Sequence, residues 1–262
     1  MVKLTQITAF LEKLYPFEYA EDFDNIGLLV GRSEKEVSKI LLCLDCDKNV
    51  VSEAISEGAQ LIITHHPVIF TPVKRITDDT DFGKMLVSAM ENGISIYSAH
   101  TNFDSAEGGL TDTVAKKLGL YPIGVMEGVL GRLCTAPEGT SAKTLCKKIK
   151  EEFKIKNLYS TFTKNKKIKT VALCNGGGGG SLVQTAQDLK ADVYISGDLK
   201  HHEVSALKIN DDIDFIEIRH YDSEVIVCDI LKEKLEEKFG TSLTVIKASS
   251  QSSPLVDTDS II

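Results

Sequence analysis

The sequence predicts an α/β protein made of two α/β domains with largely parallel or mixed sheets. Short, continuous apolar segments alternate along the chain with longer amphipathic ones, as expected when helices cover both faces of buried strands. Tyr121-Pro122 interrupts this alternation, and the pattern then begins again. We therefore expect a boundary near residue 125, with one domain over residues 1–125 and a second over 126–262.

Each predicted strand is an apolar run, and each predicted helix is an amphipathic run bounded by a capping residue or a glycine. The first domain should contain an N-terminal amphipathic helix, strand 39–45, a helix closed by Gly58, strand 60–64, a helix over 79–92, strand 94–98 and a short helix capped by Thr111. The second should contain a β segment at 123–135, helix 141–153, strand 169–174, helix 181–190, strands 191–196 and 214–219, a long helix over 222–239 and strand 242–247. We expect loose packing in the polar tail from Ser249 onward.

Composition narrows the class of protein. The net charge is −8 and charged residues make up 26% of the chain, which argues against a nucleic-acid binder that needs a basic face. No apolar run approaches the roughly 20 residues that cross a bilayer, so we expect no membrane association and a cytoplasmic protein. The Cys43 and Cys46 pair has no partner pair of the kind a structural zinc site requires, so we interpret both as reduced core residues.

Every histidine stands in a short cluster that is rich in metal ligands. The six occur in the strings THHP (64–67), SAHTNFD (98–104), SGDLKHHE (196–203) and RHYDSE (219–224). Imidazole nitrogen with carboxylate oxygen is a ligand set suited to ions such as Zn, Fe, Mn, Ni and Co. The sequence therefore predicts a metal site, with more than one ion.

Two of these clusters follow predicted strands of the first domain. His65 and His66 come directly after strand 60–64, and ligands gather beyond the carboxyl ends of such strands. Asp104 is a plausible ligand that could bridge two metals, whereas His100 could ligate, orient Asp104 or transfer protons. The alternative for the histidine pair is that it only lies on a loop.

In the second domain, His220 and Glu224 are four residues apart at the start of the predicted long helix. That spacing places them on one helix face, where they could chelate one ion. A helix-start acid favoured by the macrodipole would explain Glu224 alone. Asp198, His201 and His202 could be groups around the ligands or substrate contacts, and His202 could line the cavity.

The glycine string NGGGGGS (175–181) joins a predicted strand to a predicted helix. Backbone N–H groups in such a loop can hold an anion. The string lacks the Gly-Lys-Ser/Thr ending of a P-loop, and Ser181 occupies the last glycine position of a dinucleotide fingerprint. A tight turn that brings the backbone near the metal pocket is the other interpretation.

Four motifs in this order resemble the NGG-interacting-factor-three-like family, also described as dinuclear metal centre proteins or GTP cyclohydrolase 1 type 2 homologues. They are THHPVIF, AHTNFD followed by GG, SGDLKHHE and HYDSE, and EDFDNIGLLVG near the N-terminus matches as well. The resemblance implies two α/β domains with a dinuclear metal site at their interface and a toroidal homohexamer. Carried over by motif, the ligands of two divalent metal ions would be His65, His66, Asp104, His220 and Glu224.

The resemblance and the ligand chemistry together predict a metal-dependent hydrolase, with a nucleotide or another phosphate-bearing substrate. Two-metal sites activate water and stabilise developing charge. The family label implies attack of water at C8 of a purine, with His100 or His202 transferring protons. The alternative is a metal-binding, metal-delivery or interaction protein without turnover.

Overall fold

A computed structural model of the chain describes residues 1–210 and 213–255. Its helices and strands alternate as the sequence predicts. In chain order they are β1 (Val2–Lys3), α1 (Leu4–Leu14), β2 (Gly27–Val30), β3 (Glu36–Val37), β4 (Lys39–Cys43), α2 (Lys48–Ser56), β5 (Leu61–Thr64), α3 (Asp81–Glu91), β6 (Ser95–Ser98), α4 (Thr101–Ser105), α5 (Leu110–Lys117), β7 (Tyr121–Glu127), β8 (Leu130–Thr135), α6 (Ala142–Phe153), β9 (Tyr159–Ser160), β10 (Thr170–Gly177), α7 (Ser181–Asp188), β11 (Val193–Gly197), α8 (His201–Asn210), β12 (Asp214–Glu217), α9 (His220–Glu224), α10 (Val227–Phe239) and β13 (Thr244–Lys247). None of the helices within the described ranges is both long enough and apolar enough to span a bilayer.

The chain forms two compact units whose limits correct the predicted domain boundary. The first unit comprises Met1–Phe103 together with the segment from Val225 onward, and the second comprises Asp104–Glu224. The predicted boundary near residue 125 placed the C-terminal segment in the second domain, whereas it belongs to the first unit. It belongs there because β13 pairs in parallel with β4 and α10 packs against both strands.

The first unit is organised by a five-stranded sheet in the order β13-β4-β5-β6-β2. All neighbours are parallel except β2, which runs antiparallel to β6. Leu41, Ile62 and Ile96 are fully buried in the three central strands, and α2 and α3 contribute to the same hydrophobic core. The register pairs Thr64 with Ser98, so β5 and β6 end side by side.

The second unit has a six-stranded mixed sheet in the order β7-β8-β10-β11-β12-β9. The three strands β10, β11 and β12 are parallel, and the hairpin β7-β8 and the short β9 are antiparallel additions at the two sides. Ser196 pairs with Glu217, so the carboxyl ends of β11 and β12 are adjacent. Both sheets confirm the prediction of largely parallel or mixed α/β sheets.

Two helix assignments from the sequence were wrong in detail. The predicted helix 222–239 is divided into α9 and α10, and no glycine or proline marks the interruption at Val225 and Ile226. The short helix α5 is capped by Gly109, whereas Thr111 is buried inside it. β4 also ends at Cys43, so Cys46 lies between the strand and α2.

The beginning of the C-terminal tail is bound to the first unit, contrary to the expected loose packing from Ser249. Glu53 in α2 accepts hydrogen bonds from the backbone N–H groups of Ser249 and Ser250, each at 2.8 Å, and Gln251 accepts one from the N–H of Leu44 at 2.7 Å. Residues 256–262 of the tail lie outside the described residues. Burial alone would raise the pKa of Glu53, but these hydrogen bonds outweigh it and lower the pKa to about 2.

Glu53→Gln should lower stability at neutral pH and should lose this effect in acid. Because the pKa of Glu53 is lower in the folded state than in the unfolded state, its ionised carboxylate stabilises the fold at pH values above the unfolded pKa, roughly 4.3. That stabilisation disappears as the pH falls toward the folded value of about 2. We expect the difference in melting temperature between wild type and variant to shrink between about pH 4.5 and about pH 2. Glu57→Gln, which removes an exposed ion pair with Lys39, is the control, and a pH-independent difference for Glu53→Gln would contradict the assignment.

Candidate metal centre

Three histidines converge at the carboxyl ends of β5 and β6 in the first unit. His65 and His66 follow β5 directly, and His100 follows β6 by two residues. The ring centroids lie 5.1 Å apart for His65 and His66, 5.1 Å for His65 and His100, and 5.5 Å for His66 and His100. One candidate ligand atom from each lies within 4.8 Å of the others. Adjacent strand ends therefore bring together residues that are 35 positions apart in sequence (100 minus 65).

Each of these imidazoles is oriented through its Nδ1 atom. His65 Nδ1 lies 2.8 Å from the carbonyl oxygen of Ala99, which can only accept, so Nδ1 carries the proton. His66 Nδ1 lies 2.7 Å from Asp45, and His100 Nδ1 lies 2.9 Å from Asp24. Protonated Nδ1 atoms leave the Nε2 lone pairs to act as ligands or bases, which is the arrangement found around metal-binding histidines.

Asp24 is the most strongly held of these orienting groups. Its side chain is completely buried, and it accepts hydrogen bonds from the backbone N–H of Thr101 at 3.0 Å and from the Thr101 hydroxyl at 2.5 Å in addition to its bond with His100. Burial by itself raises the pKa of Asp24, but the bonds from His100 and Thr101 lower it to about 2. The carboxylate therefore stays ionised and fixes the His100 ring.

The second unit presents a His and carboxylate pair on α9. His220 Nε2 lies 2.9 Å from Glu224, one helical turn away, and His220 Nδ1 lies 2.7 Å from Asp198 at the end of β11. Asp198 adopts a left-handed φ of 48°, which aspartate tolerates better than most residues. The candidate ligand oxygens of Asp104 and Glu224 lie within 4.8 Å of each other. Burial, followed by the negative charges of these two carboxylates, raises the pKa of the Cys174 thiol to about 12.

The glycine loop packs closely against this pair. A Cβ atom at Gly176 would lie 2.0 Å from Glu224 Oε1 and 3.1 Å from His220 Nε2, and Gly176 has a positive φ of 60°. The backbone N–H of Gly180 donates to Glu203 at 2.6 Å, so a carboxylate of the chain itself caps the start of α7. These contacts favour a turn that brings backbone near the ligands over a phosphate-binding loop.

Both donor sets fit divalent metal ions of the first transition series. In the first unit, three imidazoles with their second nitrogens bound to oxygen acceptors suit Zn, Fe, Mn or Co. In the second, His220 lies between two carboxylates, although a neutral imidazole has a single N–H to donate. With Nδ1 donating to Asp198, an extra proton or a cation must lie between Nε2 and the Glu224 carboxylate. A metal ion bound by both groups would fill this position.

Six of the seven residues predicted to form the site therefore fall into two groups, and His202 belongs to neither. The first unit brings together His65, His66 and His100, and the second brings together Asp104, His220 and Glu224. His202 is exposed in the first turn of α8, and the guanidinium of Arg219 is 2.9 Å from Asp222. Sequence reasoning missed Asp24 and Asp45, which orient histidine rings. Asp24 lies on a loop far from His100 in sequence, and Asp45 follows the end of β4, the strand next to the one that precedes His66.

Asp45→Ala tests the orienting role of these carboxylates. Loss of the bond to His66 Nδ1 frees the ring to rotate and removes the group that raises its basicity, and such losses typically cost roughly 10–100-fold in metal affinity. We expect a decrease of that size when the variant and wild type compete with a chromophoric chelator for Zn²⁺. Asp229→Ala, which breaks an exposed pair with Lys247, should bind zinc like wild type. Equal affinity in Asp45→Ala and wild type would contradict the role.

A family model, a curated relative and two solved structures each match this chain along nearly its whole length. A family model described as Duf34/NIF3 (NGG1p interacting factor 3) matches residues 2–254. A Clostridium perfringens protein named GTP cyclohydrolase 1 type 2 homolog is 36% identical over 260 residues, covering 97% of this chain and 98% of that protein. A crystal structure of a hypothetical protein from Staphylococcus aureus superposes with a TM-score of 0.87 at 26% identity, covering 97% of this chain and 99% of the other. Reduced HcgD from Methanocaldococcus jannaschii gives a TM-score of 0.83 at 31% identity, with 95% and 98% covered.

Proposed function

The chain is a member of the Duf34/NIF3 family, and from that premise we propose that it is a metal-dependent hydrolase acting on a nucleotide or another phosphate-bearing substrate. The proposed ligands of two divalent ions are His65, His66, Asp104, His220 and Glu224. The observation that carries the proposal is the group of three imidazoles at the ends of β5 and β6, each oriented through Nδ1. The convergence matters most, because three ligand atoms within 4.8 Å of one another are what a bound cation requires.

Different residues of the site have different roles in the proposed reaction. His65 and His66 present Nε2 lone pairs as ligands, while the Ala99 carbonyl and Asp45 fix their rings. His100 transfers protons, because its Nδ1 is bound to ionised Asp24 and its side chain is 17% exposed. A bound metal pair would supply Lewis acidity and activation of water near neutral pH.

The printed name of a relative supports a nucleotide as the substrate. The Clostridium perfringens relative carries the name GTP cyclohydrolase 1 type 2 homolog. That name supports a purine nucleotide as the first substrate to assay, with hydrolysis of the ring as the reaction. Since the same architecture can host different activities, the assay must also include phosphoesters.

The decisive experiment measures metal content and turnover on the same preparation. Protein purified without added metal or chelator is analysed for its elements, reconstituted with Zn²⁺, Mn²⁺ or Fe²⁺, and assayed with GTP and a phosphoester panel. His65→Ala should lose metal and activity, whereas His201→Ala, which replaces an exposed histidine, should keep both. Metal binding without turnover on any substrate would overturn the hydrolase and leave a metal-binding or metal-delivery protein.

The role of His100 has its own readout. If His100 transfers protons, His100→Ala should flatten the pH dependence of kcat while the metal content stays close to wild type. Loss of metal instead would make His100 a ligand. A His202→Ala variant, measured in the same way, decides whether that exposed histidine shares the proton transfer.

We also propose that the chain assembles with copies of itself, as a toroidal homohexamer in the cytoplasm. The six cysteines are all free thiols, which fits a reducing compartment. The edge strand β7 carries three apolar side chains, Tyr121, Ile123 and Val125, each at least half exposed, beside a register shift between Pro122 and Gly124. An exposed apolar edge strand favours association with another chain.

Ile123→Glu should therefore dissociate the assembly. A charge in the middle of this exposed apolar run would be buried without a partner on association, which is costly. We expect light scattering after size-exclusion chromatography to report a smaller species for this variant than for wild type. Ile209→Glu replaces an even more exposed isoleucine on α8 and should leave the mass unchanged. A variant that keeps the wild-type mass would exclude β7 from the interface.

A further inference from the structure

Two exposed phenylalanines lie beside the histidine group of the first unit, and the proposed hydrolysis leaves them without a role. Phe23 is 63% exposed and Phe70 is 49% exposed. Their ring centroids are 6.2 Å apart with an interplanar angle of 65°, and the Phe70 ring is 6.2 Å from the His100 ring at 85°. The two rings therefore form a corner that adjoins His100.

Polar contacts of neighbouring residues hold the backbone beside both rings. Phe23 precedes Asp24, whose carboxylate binds His100 and Thr101. The next residue, Asn25, donates from its side-chain amide to the carbonyl of Ile69 at 2.6 Å, directly before Phe70. The tripeptide Phe23-Asp24-Asn25 thus fastens the two loops to each other and to the histidine group. A backbone held in this way keeps the two rings near each other, which lowers the cost of ordering them around a ligand.

We propose that Phe23 and Phe70 form a stacking subsite for a planar nitrogen heterocycle of the purine, pterin or pyridine type. The ring of the ligand lies on the face of one phenylalanine and meets the edge of the other, an arrangement that aromatic quadrupoles favour. Stacking of a base on an aromatic side chain is worth roughly 1–3 kcal/mol. The subsite rests on the proposed function, because it would hold the ring of the substrate beside the histidine group, where water attacks it.

The size of the corner favours a small ligand over a protein. Two phenylalanine side chains present at most roughly 400–500 Å² of surface. A stable interface takes roughly 800 Å² from each partner. The His100 ring beside Phe70 also offers a polar contact to a ring heteroatom, which an aliphatic or lipid ligand would leave unused.

The absence of tryptophan from the chain allows a direct test. Phe70→Trp introduces a single indole that retains the stacking surface, and its fluorescence reports a bound heterocycle. The probes are guanosine, pterin and nicotinamide, with ribose 5-phosphate as the non-aromatic control. We expect saturable quenching by at least one heterocycle and none by ribose 5-phosphate. Adding Phe23→Leu to the Phe70→Trp variant should weaken that binding about 10-fold, the equivalent of one lost stacking contact.

A matched variant and a second measurement make each outcome decisive. Phe82→Trp places an indole at another exposed phenylalanine, 39% exposed in α3, and should not be quenched saturably. Quenching equal at both positions, quenching by none of the heterocycles, or a fluorescence change with protein concentration alone would overturn the subsite. The last result would mean that a second copy covers the rings.

Zinc affinity and GTP turnover, measured on the same Phe70→Trp protein, separate this proposal from the proposed function. Heterocycle binding without metal or turnover would leave the subsite standing and remove the hydrolase. Metal binding and turnover without heterocycle quenching would do the reverse.

Discussion

Gly176→Ala is expected to abolish tight metal binding by the second unit while the chain still folds. An added Cβ would lie 2.0 Å from Glu224 Oε1 and 2.9 Å from its carboxyl carbon, so the carboxylate must move. Glu224 is 3% exposed, and it lies 2.9 Å from His220 Nε2, so its displacement breaks the chelating pair. We expect zinc affinity to fall by roughly 100-fold or more, above the upper end of what loss of an orienting partner costs.

Two other glycines of the same loop separate the steric effect from backbone strain. Gly180 has a positive φ of 67° with open space around its Cβ position, and Gly177 has neither the strain nor a neighbour within 4 Å. Gly180 combines that φ with a ψ of −128°, a conformation that residues with a Cβ rarely adopt, so Gly180→Ala should lose about 1–3 kcal/mol of stability and keep its zinc affinity. Gly177→Ala should match wild type in both measurements.

Calorimetric titration with Zn²⁺ and thermal unfolding, carried out on all three variants, give the comparison. If Gly176→Ala and Gly180→Ala lose the same small amount of stability and both bind zinc normally, the close approach of the loop to Glu224 has no part in the metal centre. Selective loss of affinity in Gly176→Ala would assign the loop its role as a turn beside the ligands.

The sequence was sufficient to predict the strand ends that carry the histidines. THHP follows an apolar run and RHYDSE follows another, and parallel strands place such segments at one edge of a sheet. The family resemblance was confirmed by the match over residues 2–254. What the histidines bind through Nδ1 could not be predicted, because Asp24 lies 76 positions from His100 and the contact depends on how a loop folds back.

The predicted domain boundary failed for a related reason. The periodicity of α10 and β13 predicts a helix and a strand but carries no information about which sheet the strand joins. β13 pairs with β4, about 200 positions earlier in the chain (244 minus 39), and that choice is made by packing in the first unit. Local pattern therefore identified elements, and long-range pairing decided their assembly.

The buried arginine of β8 also carried no signal in the sequence, yet Arg132→Met is expected to have the largest effect on stability. Arg132 is 6% exposed, and its guanidinium donates to Asp112 at 2.6 Å, to the Ser105 carbonyl at 2.7 Å and to the Gly131 carbonyl at 3.0 Å. Removing one partner of a buried ion pair typically costs about 3–5 kcal/mol, because the remaining groups stay buried without compensation. At roughly 2–4 °C for each kcal/mol, the melting temperature should fall by about 6–20 °C.

An exposed pair in the same unit is the control for charge removal. Lys148 and Glu152 lie 2.8 Å apart on α6 with both side chains partly exposed. Lys148→Met should change stability by no more than about 1 kcal/mol, as exposed pairs do. If the melting temperatures of Arg132→Met and Lys148→Met differ by less than about 2 °C, their stabilities differ by less than about 1 kcal/mol. That result would refute a structural role for the buried cation.

Arg132→Lys extends the test from stability to the metal centre. Lysine keeps the charge but lacks the planar fork that reaches Asp112 and the Ser105 carbonyl together. Since Ser105 directly follows Asp104, loss of that anchor should loosen the predicted ligand even where the fold survives. We expect Arg132→Lys to bind zinc more weakly than wild type at a temperature well below its melting point. Because Lys148→Met lies outside these contacts, unchanged zinc affinity in that control would assign the loss to the position of Asp104.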